Sequence, residues 1–137
     1  MIVFNYETAF QLDNENHLKN WIQEIVSEKG FEIGEINYIF CDDAYLHKLN
    51  VEFLKHNTLT DIISFDNSLG KLISGDIFIS IERVEDNAKD FKVSFKDELH
   101  RVMIHGVLHY MGFKDKSDDD KLVMRKQENE ALFLLNI

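Results

Sequence analysis

The chain has 137 residues, enough for about one domain with its own core, and its 45% apolar and 29% charged content is ordinary for a globular protein. It has no proline, and the single Cys41 excludes an internal disulfide and a cysteine-rich zinc cluster. The net charge of −10 argues weakly against a nucleic-acid partner, because such binding is driven largely by Lys and Arg on phosphates.

That charge is uneven. Residues 1–46 hold nine acids against two bases, while the remainder is nearly balanced. Lys48, Lys55, Lys89, Lys92, Lys96 and Arg101 are therefore available for a local positive surface, or are ordinary solvated side chains. The N-terminus lacks the basic start, apolar core and cleavage site of a leader, and no apolar run approaches membrane-spanning length. A cytoplasmic protein without a membrane partner is expected.

In chain order, Ile2 to Tyr6 is apolar and β-prone enough for a first strand. Asn14 to Lys29 places Leu18, Trp21, Ile22, Ile25 and Val26 at helical spacing, and Gly30 stops that helix. Glu35 to Cys41 reads as a strand. Asp42 can cap a second helix with Tyr45, Leu46, Leu49 and Phe53 in an apolar stripe. Thr60 to Phe65 is a further strand, and after turn residues 66–70, Gly75 to Ile81 is its hairpin partner. From Glu82 onward the pattern is helical. Ser94-Phe-Lys-Asp97 and Ser117-Asp-Asp-Asp120 are capping patterns, the second opening a last helix that bears Leu122, Val123, Met124 and Leu132. Strands early and helices late predict an α+β fold: a small mixed sheet of about four strands against about five helices, one domain over residues 1–137.

The chemistry concentrates in His105-Gly-Val-Leu-His109-Tyr-Met-Gly112-Phe-Lys-Asp115. On a long central helix two histidines four apart share one face, and both imidazoles can converge on one point. Gly112 stands where a helix commonly ends in a left-handed residue, so the chain can turn and bring Asp115 back. Two nitrogens and one carboxylate oxygen are a familiar zinc shell, with a fourth position open for water. A hydrogen-bonded core histidine is the alternative for either residue alone. For the pair with a glycine exit, one zinc ion held by His105, His109 and Asp115 is the better account.

The spacing is that of the metzincin pattern H-E-x-x-H-x-x-G-x-x-H, but Gly106 occupies the place of its glutamate base, which argues against peptide hydrolysis by that route. The segment more closely resembles the YbeY family of bacterial metal-dependent endoribonucleases, whose signature H-G-x-L-H-x-x-G-[YF]-x-[HD] it follows throughout. Thr60-Asp-Ile-Ile-Ser-Phe65 is similar to the family's T-D-V-L-S-F, and Gly75-Asp-Ile-Phe-Ile-Ser80 to its G-D-I-x-I-S. The resemblance implies cleavage of single-stranded RNA in ribosomal RNA maturation (the 16S 3′ end) and ribosome quality control. It implies the small ribosomal subunit as a partner and no DNA substrate, with no catalytic side chain required beyond metal-bound water.

Two positions depart from the family. Asp115 stands where many members have histidine, and Leu54, in Leu49-Asn-Val-Glu-Phe-Leu54, stands where the family usually has arginine. Lys55 and His56 are adjacent candidates for the missing positive group. Arg101, four residues before His105, is another candidate phosphate contact, or else pairs with Asp97. Asp61 and Ser64 are candidates for orienting ligands or lining the cleft, or for strand-edge capping. Asp118 to Asp120 suit a helix start better than a second cation site. A ribosome-assembly factor with a structural metal, or a metallohydrolase of another substrate, are the alternative functions. The carboxylate of Asp115 lowers the site's positive charge and should acidify bound water less than a third neutral ligand would. Asp115→His should therefore shift the pH–activity profile to lower pH, measured as initial rates across a pH series.

Overall fold

The computed structural model describes residues 1–54 and 60–136. The elements run β1 (Ile2–Tyr6), α1 (Glu15–Glu28), β2 (Glu32–Cys41), α2 (Asp43–Phe53), β3 (Ile62–Asp66), β4 (Leu72–Ser80), α3 (Ile81–Phe91), α4 (Phe95–Tyr110) and α5 (Asp118–Leu135). This is the expected α+β fold, with a four-stranded mixed sheet in the order β1-β2-β4-β3. β1, β2 and β4 are parallel, and β3 returns antiparallel beside β4 as the predicted hairpin.

Strand ends differ from the expectation by a few residues. β2 and β4 extend back to Glu32 and Leu72, because Glu32 and Ile33 pair with Leu72 and Ile73 ahead of an irregularity in the ladder. Ile81 leaves the strand because the Ser80 hydroxyl accepts from the Arg83 N–H at 3.2 Å and so begins α3.

The sheet is covered on both faces, as parallel strands rich in Ile and Phe require. On one face Ile36, Tyr38, Phe40, Ile77 and Ile79 are all inaccessible and join buried side chains of α1 and α4. The Tyr38 hydroxyl donates to the Met103 carbonyl at 2.8 Å, and the Trp21 indole N–H donates to the Ala131 carbonyl at 2.8 Å, tying α1 to α5. On the opposite face α2 buries Leu46 against Cys41 and Ile63. Burial there pushes the Cys41 thiol up to about 12, helped by the nearby charges of Asp42, Asp43 and Glu7, so it stays protonated and inert.

Not every apolar position predicted to line a helix is buried. Met124 is 3% exposed, but Leu122 and Val123 are 71% and 49% exposed, since three consecutive residues cannot share one helical face. Phe53 of the α2 stripe is likewise exposed.

Two glycines let α4 lie close on the sheet. A Cβ at Gly106 would stand 3.0 Å from the Ile77 Cδ1 and 3.3 Å from the Ile62 Cδ1. A side chain at this position, where a zincin has its glutamate, would press on both isoleucines. At Gly75 a Cβ would collide with the Phe65 carbonyl oxygen and the Tyr110 hydroxyl. That hydroxyl lies 3.0 Å from the Phe65 carbonyl and 3.2 Å from the Asp76 carbonyl, pinning the end of α4 to the β3–β4 hairpin. Gly75→Ala should displace Tyr110 and cost about 1–3 kcal/mol. Urea unfolding with an unchanged m-value checks this.

Candidate metal centre

α4 begins at Ser94, whose hydroxyl accepts from the Asp97 N–H at 3.1 Å, and carries His105 and His109 one turn apart near its other end. It stops at Gly112, with φ +98°. The Gly112 N–H bonds to the His109 carbonyl at 3.0 Å and the Phe113 N–H to the Leu108 carbonyl at 3.1 Å. This pair of bonds reverses the chain and returns Asp115 to the histidines.

The three candidate ligands converge. His105 Nε2 and His109 Nε2 are 3.0 Å apart, and Asp115 Oδ2 is 3.2 Å from each. Ligand atoms at about 2.0–2.1 Å from a tetrahedral zinc stand about 3.3 Å from one another, so this triangle has the size that such an ion requires. Among the described residues, these three are the group of His, Cys, Asp or Glu side chains able to hold a metal ion together. His109 and Asp115 are partly exposed, which leaves the fourth direction toward the cavity.

Glu128 of α5 completes the arrangement, and the sequence reading did not single it out. Its Oε2 lies 2.6 Å from His105 Nδ1. With the Nδ1 proton donated to this carboxylate, the Nε2 lone pair of His105 is left free for the cation. Burial alone would lower the His105 pKa, but the hydrogen bond and charge of Glu128, with Asp115 and Asp61, hold it above the ordinary imidazole value. Burial would raise the carboxyl of Glu128, and the hydrogen bonds from His105 and Arg101 overcome this to hold it below its usual range. A usable signal was present: Glu128 sits with Met124 and Ala131 at helical spacing on the buried face of α5, where a charge needs a partner.

Arg101 goes neither to Asp97 nor into open solvent. Its guanidinium donates to Glu128 Oε1 at 3.0 Å and to Asn129 Oδ1 at 2.9 Å. Asp61 and Ser64 line a cavity of about 500 Å³ that opens over the histidines, bordered also by Glu98, Arg125 and Phe91. Burial raises the carboxyls of Asp61 and Glu98, and the charge of Asp61 adds to the effect on Glu98. Asp118 to Asp120 form the first turn of α5 behind the Ser117 cap, as expected of a helix start. Leu54 follows α2, while Lys55 and His56 lie outside the described residues. No helix among the described residues is long and apolar enough to cross a membrane.

Fold and cluster together define a small α+β protein with a His-His-Asp centre suited to one divalent cation. The family model for Endoribonuclease YbeY matches residues 3–136, and the chain belongs to the YbeY family. It is 60% identical over its whole length to Endoribonuclease YbeY of Flavobacterium johnsoniae, covering 99% of that protein. To Endoribonuclease YbeY of Christiangramia forsetii it is 49% identical, over 99% of this chain and 95% of the relative. The solution structure of TM1509 from Thermotoga maritima matches with a TM-score of 0.75 at 27% identity, over 98% of this chain and 89% of that one.

Because Glu128 holds the ring of His105, Glu128→Ala should weaken zinc affinity about 10–100-fold while leaving all three ligands in place. Competition against a chromophoric chelator measures this, with thermal melts to confirm that the variant is folded.

Proposed function

We propose that this protein is a zinc-dependent endoribonuclease that cuts single-stranded RNA, with residues 1–137 forming one cytoplasmic catalytic domain. Its place would be ribosomal RNA maturation, at the 3′ end of 16S RNA, and ribosome quality control on the small subunit. The observation that carries this reading is the triangle of 3.0, 3.2 and 3.2 Å among His105, His109 and Asp115, opening onto a cavity large enough for a nucleotide. The names of the relatives support the choice of RNA as substrate.

A divalent cation held there would supply a Lewis acid for a phosphoryl oxygen and lower the pKa of a water molecule. The chain supplies the placement. His105 and His109 present their Nε2 atoms from a helix locked against the sheet, and Asp115 closes the third side. Glu128 fixes the tautomer of His105, and Arg101 holds Glu128. Gly106 offers no side chain where a zincin has its glutamate base, so proton removal from the nucleophile falls to groups across the cleft or to the substrate itself.

A purely structural metal is disfavoured by the same geometry. Structural zinc sites are closed by four protein ligands, whereas among the described residues this cluster offers three and leaves one side accessible. Metal-loaded protein should cleave single-stranded RNA, and chelation or His109→Ala should lower the rate at least 100-fold. Equal cleavage by the variant would assign the activity to a contaminant. Products ending in a 2′,3′-cyclic phosphate would identify the 2′-hydroxyl as the nucleophile and exclude direct attack by water.

A further inference from the structure

Resting on the endoribonuclease reading, the structure points to a phosphate grip on α5: we infer that Arg125, with Lys121 one turn earlier, holds the RNA backbone beside the phosphate being cut. The cavity over the histidines is lined by four carboxylates, Asp61, Glu98, Asp115 and Glu128, and by two cations, Arg101 and Arg125. A divalent ion at the triad brings that balance to about neutral, but neutrality does not orient a polyanion. A fixed cation with free donors is needed for that.

Arg101 does not have them to spare. Two of its nitrogens are spent on Glu128 and Asn129, and its side chain is only 21% exposed. Arg125 differs on each count. It reaches Glu128 Oε1 only at 3.6 Å, beyond hydrogen-bond distance, and its side chain is 55% exposed. Its planar fork of donors matches a phosphate better than any lysine in the chain.

Position supports the same assignment. Arg125 borders both the main cavity and an adjoining hollow of about 220 Å³, and the two meet at His105, Asp115 and Glu128. The second hollow is walled by Lys121 and floored by Met124. Lys121 and Arg125 are four apart on one face of α5, and no carboxylate of the described residues is within ion-pair distance of Lys121. The acidic first turn does not fill this hollow, since Asp120 lines a separate depression with Gly112 and Phe113. A strand crossing the triad therefore passes from a cavity with an acidic wall onto a basic rim.

The test is steady-state cleavage of a short single-stranded RNA by zinc-loaded protein across a salt series, for the wild type, Arg125→Ala, Arg125→Lys and the double variant Lys121→Ala/Arg125→Ala. Arg125→Ala should raise KM roughly tenfold, as loss of one charged hydrogen-bonded contact does, with kcat falling far less. The salt dependence of log KM should flatten by about 0.7 for each contact removed, or about 1.4 in the double variant. Arg125→Lys should recover most of the salt slope, and zinc content should stay at the wild-type value throughout. A double variant with wild-type KM and salt slope, against a wild type that cleaves, overturns the grip and leaves the nuclease reading standing. Loss of zinc from Arg125→Ala also overturns it, by making Arg125 a support of Glu128. If the wild type cleaves no faster than His109→Ala, the nuclease reading falls and takes this inference with it.

Discussion

The hydrogen bond of 2.6 Å between Glu128 and His105 is the contact on which the centre depends. It joins α5 to α4 across 23 residues of chain and decides which nitrogen of His105 carries the proton. A histidine in a helix can present either nitrogen to a cation, and only a fixed partner for the other makes the choice permanent. Glu128 is itself 5% exposed and is held by Arg101, so the orientation passes from an arginine through a carboxylate to a candidate ligand. A buried carboxylate with one partner would be costly, but with two charge-assisted partners it is stable as an anion.

The second constraint is the closeness of α4 to the sheet. Gly106 lies against Ile77 and Ile62, and Gly75 makes room for the Tyr110 hydroxyl. Between them these two contacts hold the segment from 106 to 110 on β3 and β4, so the histidines on its outer side have a fixed base. The same closeness crowds the position where a zincin carries its catalytic glutamate. The glycine at that position thus suits the packing of α4 on the sheet.

Much of this was readable from local pattern. The i,i+4 histidines, the glycine exit and the returning aspartate are all contained within eleven residues, and short-range geometry sufficed to bring them together. The β3–β4 hairpin and the serine caps are local for the same reason. Glu128 and Arg101 were harder, because their roles come from α5 lying across α4. Helical spacing offers Arg101 only its neighbour Asp97, whereas α5 brings Glu128 and Asn129, two acceptors instead of one. The placement of α2 on the far face of the sheet is likewise a matter of topology, since an apolar stripe such as Leu46 and Leu49 shows that a face is buried without showing which surface it meets.

The charge of the chain looks different once the elements are placed. A net of −10 would repel a polyanion at long range, yet much of that charge lies in residues 1–46, and none of those residues borders the cavity over the histidines. Within about one Debye length, roughly 10 Å at 0.1 M salt, what matters is the local balance around the triad. There, burial pushes Asp61 and Glu98 toward their neutral forms, and Glu128 is matched by Arg101 and His105. A divalent cation at the triad would then offset the carboxylate charge that remains around it. An acidic protein can accept RNA under those conditions, and the tightest part of the interaction would be short-ranged and confined to the metal and its rim.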